Sequence, residues 1–212
     1  MSDQDKVSSR YDFWTPFYDM IDNIPVISGP QKRWKKSAVR SLELYGDEKV
    51  LDIGTGTGEI LPWIAEYLDN GLVIGTDISK GMIKRTKRKI KKRNLEDKVK
   101  VVYDDIQNSR FPDGHFDRII ATFTFTTVPD PRKTAEECKR LLKDEGKMIV
   151  LDTGKPDNSI LLPFFIPMNL SAKVFGRTHM DRPIKKILSD DFDVIKKKTN
   201  MLGMVYQLKC NK

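Results

Sequence analysis

The sequence predicts an α/β fold: a mostly parallel seven-stranded sheet with helices on both faces. Three observations carry the prediction. Short apolar strands alternate with helical patterns from Lys49 onward, the first strand runs into a glycine-rich turn, and two further strand candidates close the chain. Alternation at this spacing implies right-handed crossovers and a sheet covered on both sides.

The elements follow in order. Lys49–Ile53 reads as a buried strand, and Glu59–Leu68 as a helix that tolerates Pro62 in its first turn. Leu72–Asp77 is the second strand. Ser79 is placed to cap a helix over Lys80–Arg93, with Met82, Ile83, Thr86 and Ile90 on one face. Val99–Tyr103 and Asp117–Thr122 are strands three and four. Pro131–Leu142 has Ala135, Cys138, Leu141 and Leu142 at core spacing and a stop signal at Asp144-Glu145-Gly146. Lys147–Asp152, Phe192–Lys197 and Met204–Lys209 complete the seven.

A length of 212 residues encloses a core without staples and reads as one domain over 1–212. Residues 1–45 form an expected N-terminal helical lid, with aromatics from Tyr11 to Tyr18 and a helix whose Trp34, Ala38 and Leu42 share a face. Residues 46–212 are the core. Within it, about 154–190 is long for a connection and is read as a substrate-side insertion. Both segments suit a cover over the carboxyl ends of the strands, where open sheets bind ligands.

Hydrophobic content of 39% and charged content of 32% describe a globular chain. Cys138 and Cys210 are too far apart to suggest a disulfide framework or a zinc site, and a reducing cytoplasm is the expected compartment. No apolar run reaches the ~20 residues of a membrane helix. No metal cluster is apparent. Net charge is +8, and eight of the ten positions from Lys84 to Arg93 are Lys or Arg. That helix is either a solvated outer face or a contact for anionic membrane. Nucleic acid is the weaker partner, because no aromatic-interleaved basic platform accompanies it. His115 reads as a solvent-facing turn residue and His179 as a weak general-base candidate.

The chemistry concentrates in Leu51-Asp52-Ile53-Gly54-Thr55-Gly56-Thr57-Gly58. Glycines allow a sharp turn and close approach of backbone to ligand. Asp77, 19 residues beyond Gly58 at the end of the second strand, is placed to hydrogen-bond a ribose diol. The phosphate-loop pattern is absent, and the spacing is G-x-G-x-G rather than the dinucleotide G-x-G-x-x-G. A carboxylate at Asp52 suits an amino-acid-bearing or cationic ligand better than a pyrophosphate. Adenosine joined to methionine fits; nicotinamide and a purely structural turn are the alternatives.

Three further stretches follow in order: Gly75-Thr76-Asp77-Ile78-Ser79, Tyr103-Asp104-Asp105-Ile106 with Phe111-Pro112-Asp113-Gly114-His115-Phe116-Asp117, and Leu141-Leu142-Lys143-Asp144-Glu145-Gly146. With these, residues 50–150 resemble the Rossmann-like class I methyltransferases that use S-adenosylmethionine and release S-adenosylhomocysteine. The resemblance implies that Gly54 and Gly56, with Thr55 between them, lie against the methionine portion. Asp77 would hold the ribose and Ile78 flank the adenine. Asp105 would accept from the adenine amine beside the Ile106 backbone, and Thr122 would stand next to the methyl group. Apart from the resemblance, Tyr11 and Tyr18 read either as packing aromatics or as lid phenols that touch cofactor and acceptor.

Tyr18-Asp19-Met20-Ile21-Asp22-Asn23 and Gln31-Lys32-Arg33-Trp34-Lys35-Lys36 resemble the entry segment of the ubiquinone and menaquinone methyltransferases and of the phosphatidylethanolamine N-methyltransferases. The quinone group carries a histidine near the tryptophan and E-x-S after the fifth strand. Here those places hold Gln31-Lys32 and Asp152-Thr153-Gly154. Methylation of a lipophilic small molecule or phospholipid headgroup is therefore expected, with the headgroup favoured. Quinone C-methylation and an RNA-directed reaction are the alternatives, and binding without catalysis is a third reading.

Overall fold

The computed structural model describes residues 25–176 and 178–212. Tyr11, Tyr18 and the rest of 1–24 lie outside the described residues. Seven strands form one sheet: β1 (Lys49–Ile53), β2 (Leu72–Asp77), β3 (Val99–Tyr103), β4 (Phe116–Thr122), β5 (Leu142–Thr153), β6 (Asp193–Asn200) and β7 (Val205–Asn211). Their order is β3-β2-β1-β4-β5-β7-β6. The first five are parallel, and β7 runs antiparallel to both neighbours.

The helices divide between the two faces as alternation along the strands dictates. On one face α1 (Pro25–Arg40), α2 (Leu61–Ala65) and α3 (Lys80–Lys92) bury Ala38, Val39, Leu61, Ile64, Ile83 and Ile90 against Val50, Val73, Val101 and Ile149. On the other, α4 (Pro131–Leu141) and α6 (Ile184–Ser189) bury Ala135, Cys138, Leu141, Ile184 and Leu188 against Leu51, Ile119, Val150 and Leu208. Between β5 and α6 lies α5 (Leu162–Ser171), followed by a wider turn over Ala172–Gly176.

Two expectations about elements are corrected. The helix expected over Glu59–Leu68 is only Leu61–Ala65, with Pro62 in its first turn. Strand β5 begins at Leu142, not Lys147. Leu142 pairs with Phe116 ahead of a register shift between Phe116 and Arg118, so the acidic pair read as a helix stop lies inside the strand. Exposed Lys143, Asp144 and Glu145 have no alternation to reveal it.

The basic helix keeps its solvated side. Lys84, Lys87, Arg88, Lys91 and Lys92 are exposed, whereas Lys89 turns inward and donates to the Thr57 carbonyl at 2.5 Å. Ser79 caps the helix by accepting from the Met82 N–H at 3.1 Å. His115 is not simply solvent-facing. It stacks on Phe111 at 5.9 Å and meets the edge of Phe116, and burial lowers its pKa.

Candidate active site

Strand order reverses between β1 and β4, the position at which an open α/β sheet leaves a crevice beyond its carboxyl ends. A cavity of about 410 Å³ occupies it. Its wall includes Gly54, Gly56, Asp77, Ile78, Asp105, Ile106 and Thr122, so most residues singled out in the sequence converge here from four separate strand ends.

The glycine loop is tied to the second strand. Asp77 accepts from the Gly56 N–H at 2.9 Å through Oδ2 and from the Ser79 N–H at 2.8 Å through Oδ1. Gly54 has φ +64°, and a Cβ there would stand 2.8 Å from Thr124 Cγ2, so only glycine lets the loop pass. Asp105 caps the turn after β3, accepting from the Gln107 N–H at 3.0 Å. A carboxylate at the end of β2, an acid-capped turn with the Ile106 backbone, and a glycine-rich loop between them could hold an adenosine and its amino-acid extension.

The side chains of Asp52 and Thr55 lie beneath the glycine loop, and neither residue is part of the cavity wall. Both are buried, and Thr55 Oγ1 donates to Asp52 Oδ2 at 2.6 Å beneath the loop. Asp52 Oδ1 is buried without a hydrogen-bond partner. Burial raises Asp52 to about 7, against the Thr55 hydroxyl and the charge of Lys35, with Asp77 adding to the rise. The unfolded chain ionises this carboxyl near 3.8. The proton held in the fold therefore stabilises it on the acid side, and that stability is lost as pH rises toward 7. Relative to Asp52→Asn, wild type should lose up to ~1.4 kcal/mol per pH unit between pH 5 and 7 in urea unfolding. A flat difference would mean that Asp52 is ionised in the fold.

Several cavity residues were given no individual role by the sequence. Lys35 reaches in from α1, paired with Glu59 at 2.6 Å and 5.9 Å above the Phe123 ring. Phe123 has φ +58°, a strained conformation for a residue with a Cβ, at the turn after β4. Thr124, Thr126 and Thr127 follow it into the wall, joined by Thr153 from β5 and by Thr178 and Met180 from the insertion. His179, between those two, donates its backbone N–H to the Thr126 carbonyl at 2.8 Å, and it is not among the residues of the cavity wall.

Asp152, at the end of β5, is fully buried and accepts from the Thr126 hydroxyl at 2.7 Å, the Thr126 N–H at 3.2 Å and the Thr153 N–H at 2.8 Å. Burial raises it to about 6, while the three donors aimed at its two oxygens favour the ionised, accepting form.

A family model of the methyltransferase domain matches residues 51–150. A demethylmenaquinone methyltransferase of Bacteroides fragilis is 30% identical over 187 residues, covering 88% of this chain and 73% of that protein. A ubiquinone/menaquinone biosynthesis C-methyltransferase of Citrifermentans bemidjiense is 28% identical over 153 residues, covering 72% and 65%. A methyltransferase from Aquifex aeolicus that depends on S-adenosylmethionine shares the fold, with a TM-score of 0.62 and 22% identity over 84% of this chain and 88% of that one.

The chain belongs to the class I S-adenosylmethionine-dependent methyltransferases, and S-adenosylmethionine is its cofactor. Within that class it resembles the ubiquinone and menaquinone methyltransferases.

Proposed function

We propose that this enzyme C-methylates a lipophilic quinol. The observation that carries the reading is the 30% identity to a demethylmenaquinone methyltransferase across 88% of the chain. The pattern after β5 favoured a phospholipid headgroup. The relatives favour the quinone alternative, and the order of the two is reversed accordingly.

Asp77 would accept from the ribose hydroxyls, Ile78 and Ile106 would bracket the adenine, and Asp105 would accept from its amine. Gly54, Thr55 and Gly56 would carry the methionine portion, with Asp52 beneath them and Thr122 beside the methyl group. Bound S-adenosylmethionine supplies a methyl on a sulfonium, already a good leaving group. The residues have then to hold the acceptor carbon about 3 Å away, in line, with water excluded. Phe123, Met180 and Val128 provide apolar surface in the cavity wall for a ring.

Access from a lipid surface fits the insertion. Ile160, Phe164, Ile166, Leu170 and Val174 are each more than half exposed on α5 and its flanks, whereas Phe165 is buried beneath them. A cluster of exposed apolar side chains of this kind suits contact with a lipid surface. Among the described residues no helix is long and apolar enough to cross a membrane.

The test is transfer of label from S-adenosylmethionine to dithionite-reduced 2-prenyl-1,4-naphthoquinone in phosphatidylglycerol vesicles. Phosphatidylethanolamine vesicles and total RNA serve as competing acceptors. Label in the naphthoquinol is expected, with the protein sedimenting with the vesicles at low salt and released as salt rises. Label only in the phospholipid or only in RNA would overturn the reading.

A further inference from the structure

The acceptor end of the cavity has an unusual hydrogen-bonding polarity. Thr126 is 1% exposed yet part of the cavity wall, and its hydroxyl donates to Asp152 Oδ1 at 2.7 Å. A hydroxyl has one proton to give and two lone pairs to accept with. The Thr126 proton is committed to a fully buried carboxylate that can only accept, so the oxygen can only accept in turn. Its neighbours are set the same way. Thr127 Oγ1 donates to the Thr124 carbonyl at 2.8 Å, and Thr124 Oγ1 donates to the Ile53 carbonyl at 3.0 Å. Three successive cavity hydroxyls thus spend their protons inward.

Asp152 also explains why Thr126 cannot turn over. The carboxylate grips both the hydroxyl and the backbone N–H of the same residue, at 2.7 Å and 3.2 Å. A second observation points to a ligand. Thr153, next in sequence to Asp152, also belongs to the cavity wall, and its hydroxyl oxygen is buried with no hydrogen-bond partner. A buried polar group left unpaired is costly, and a bound molecule removes that cost. An acceptor-only oxygen and an unpaired hydroxyl in one wall match a ligand group that both donates and accepts, which is an O–H.

We propose that Thr126, held by Asp152, accepts a hydrogen bond from a hydroxyl of the methyl acceptor and makes the site select an O–H over its ether. Thr126 is the specificity-determining contact and Asp152 a positioning residue. The inference rests on the reading of the acceptor as an aromatic hydroxyl compound, and it names the residue that would recognise that hydroxyl. Without the proton committed to Asp152, Thr126 could donate as readily as accept, and the preference would disappear.

The experiment measures binding of 1-naphthol and 1-methoxynaphthalene to the full chain saturated with S-adenosylhomocysteine. Wild type should bind the naphthol at least tenfold more tightly than the ether. Thr126→Val, which keeps the shape and removes the oxygen, should bring the two within about twofold, and Asp152→Asn should shrink the ratio. Thr126→Ser should keep the preference. S-adenosylhomocysteine affinity, measured on each variant, should be unchanged and shows that the variant is folded. Equal wild-type affinity for the two probes, or a preference that survives in Thr126→Val, overturns the proposal. The wild-type ratio decides it even if a variant fails to fold. Failure of wild type to methylate the naphthoquinol while the ratio and its loss in Thr126→Val persist would overturn the quinol reading alone.

Discussion

Asp77→Ala lowers affinity for S-adenosylmethionine by roughly ten- to a hundredfold, or about 1.5–3 kcal/mol, the range for charge-assisted hydrogen bonds. The carboxylate does two things at once. It stands in the cavity wall at the end of β2, where a ribose diol would donate to it, and it holds the Gly56 N–H at 2.9 Å. Removing it deletes the ribose contact and unties the loop that would carry the methionine portion. Asp77→Asn separates the two effects. It keeps the size and one acceptor oxygen but loses the charge, so it should fall between wild type and alanine. Calorimetry on folded protein reads the affinity, and a melting curve confirms the fold. Unchanged affinity in the alanine variant would remove Asp77 from the cofactor site.

What the sequence revealed and what it hid divide along physical lines. Strands β1, β2 and β3 occupy the residues the pattern picks out, because a buried parallel strand reads as an apolar run ended by a turn. The Ser79 cap was legible because a capping hydroxyl acts within three residues. Helix α5 was not: Pro163 and Pro167 interrupt it, and its apolar residues surround it without forming a stripe. The cofactor end of the cavity was legible from motifs, since Gly54, Gly56, Asp77 and Asp105 each sit where a strand meets its loop. The acceptor end was not. Thr126 and Asp152 are 26 positions apart, and Lys35 comes from a helix that precedes the sheet. No local pattern marks residues brought together only by strand order.

The larger effect on stability is expected from Gly58→Ala, which should lower unfolding free energy by roughly 2–5 kcal/mol. Two costs combine. Gly58 has φ +67°, a left-handed conformation that costs a residue with a Cβ about 1–2 kcal/mol. A Cβ there would stand 2.3 Å from Thr86 Cγ2 and 3.3 Å from Leu61 Cδ1, and overpacking of that kind costs about 1–3 kcal/mol. Thr86 cannot step aside cheaply. It is fully buried on α3, and its hydroxyl donates to the Gly56 carbonyl at 2.7 Å, joining helix to glycine loop. Thr86→Ser removes the colliding methyl and keeps the hydroxyl. The double variant should therefore regain the overpacking part and retain the backbone part. Gly56→Ala is the contrast: with φ +53° and nothing closer than 4.0 Å, it should cost stability only through its backbone. Urea unfolding of wild type and the four variants reads these differences. A Gly58→Ala variant as stable as wild type, or a double variant no more stable than Gly58→Ala alone, would show that α3 does not hold the loop in the way its contacts indicate.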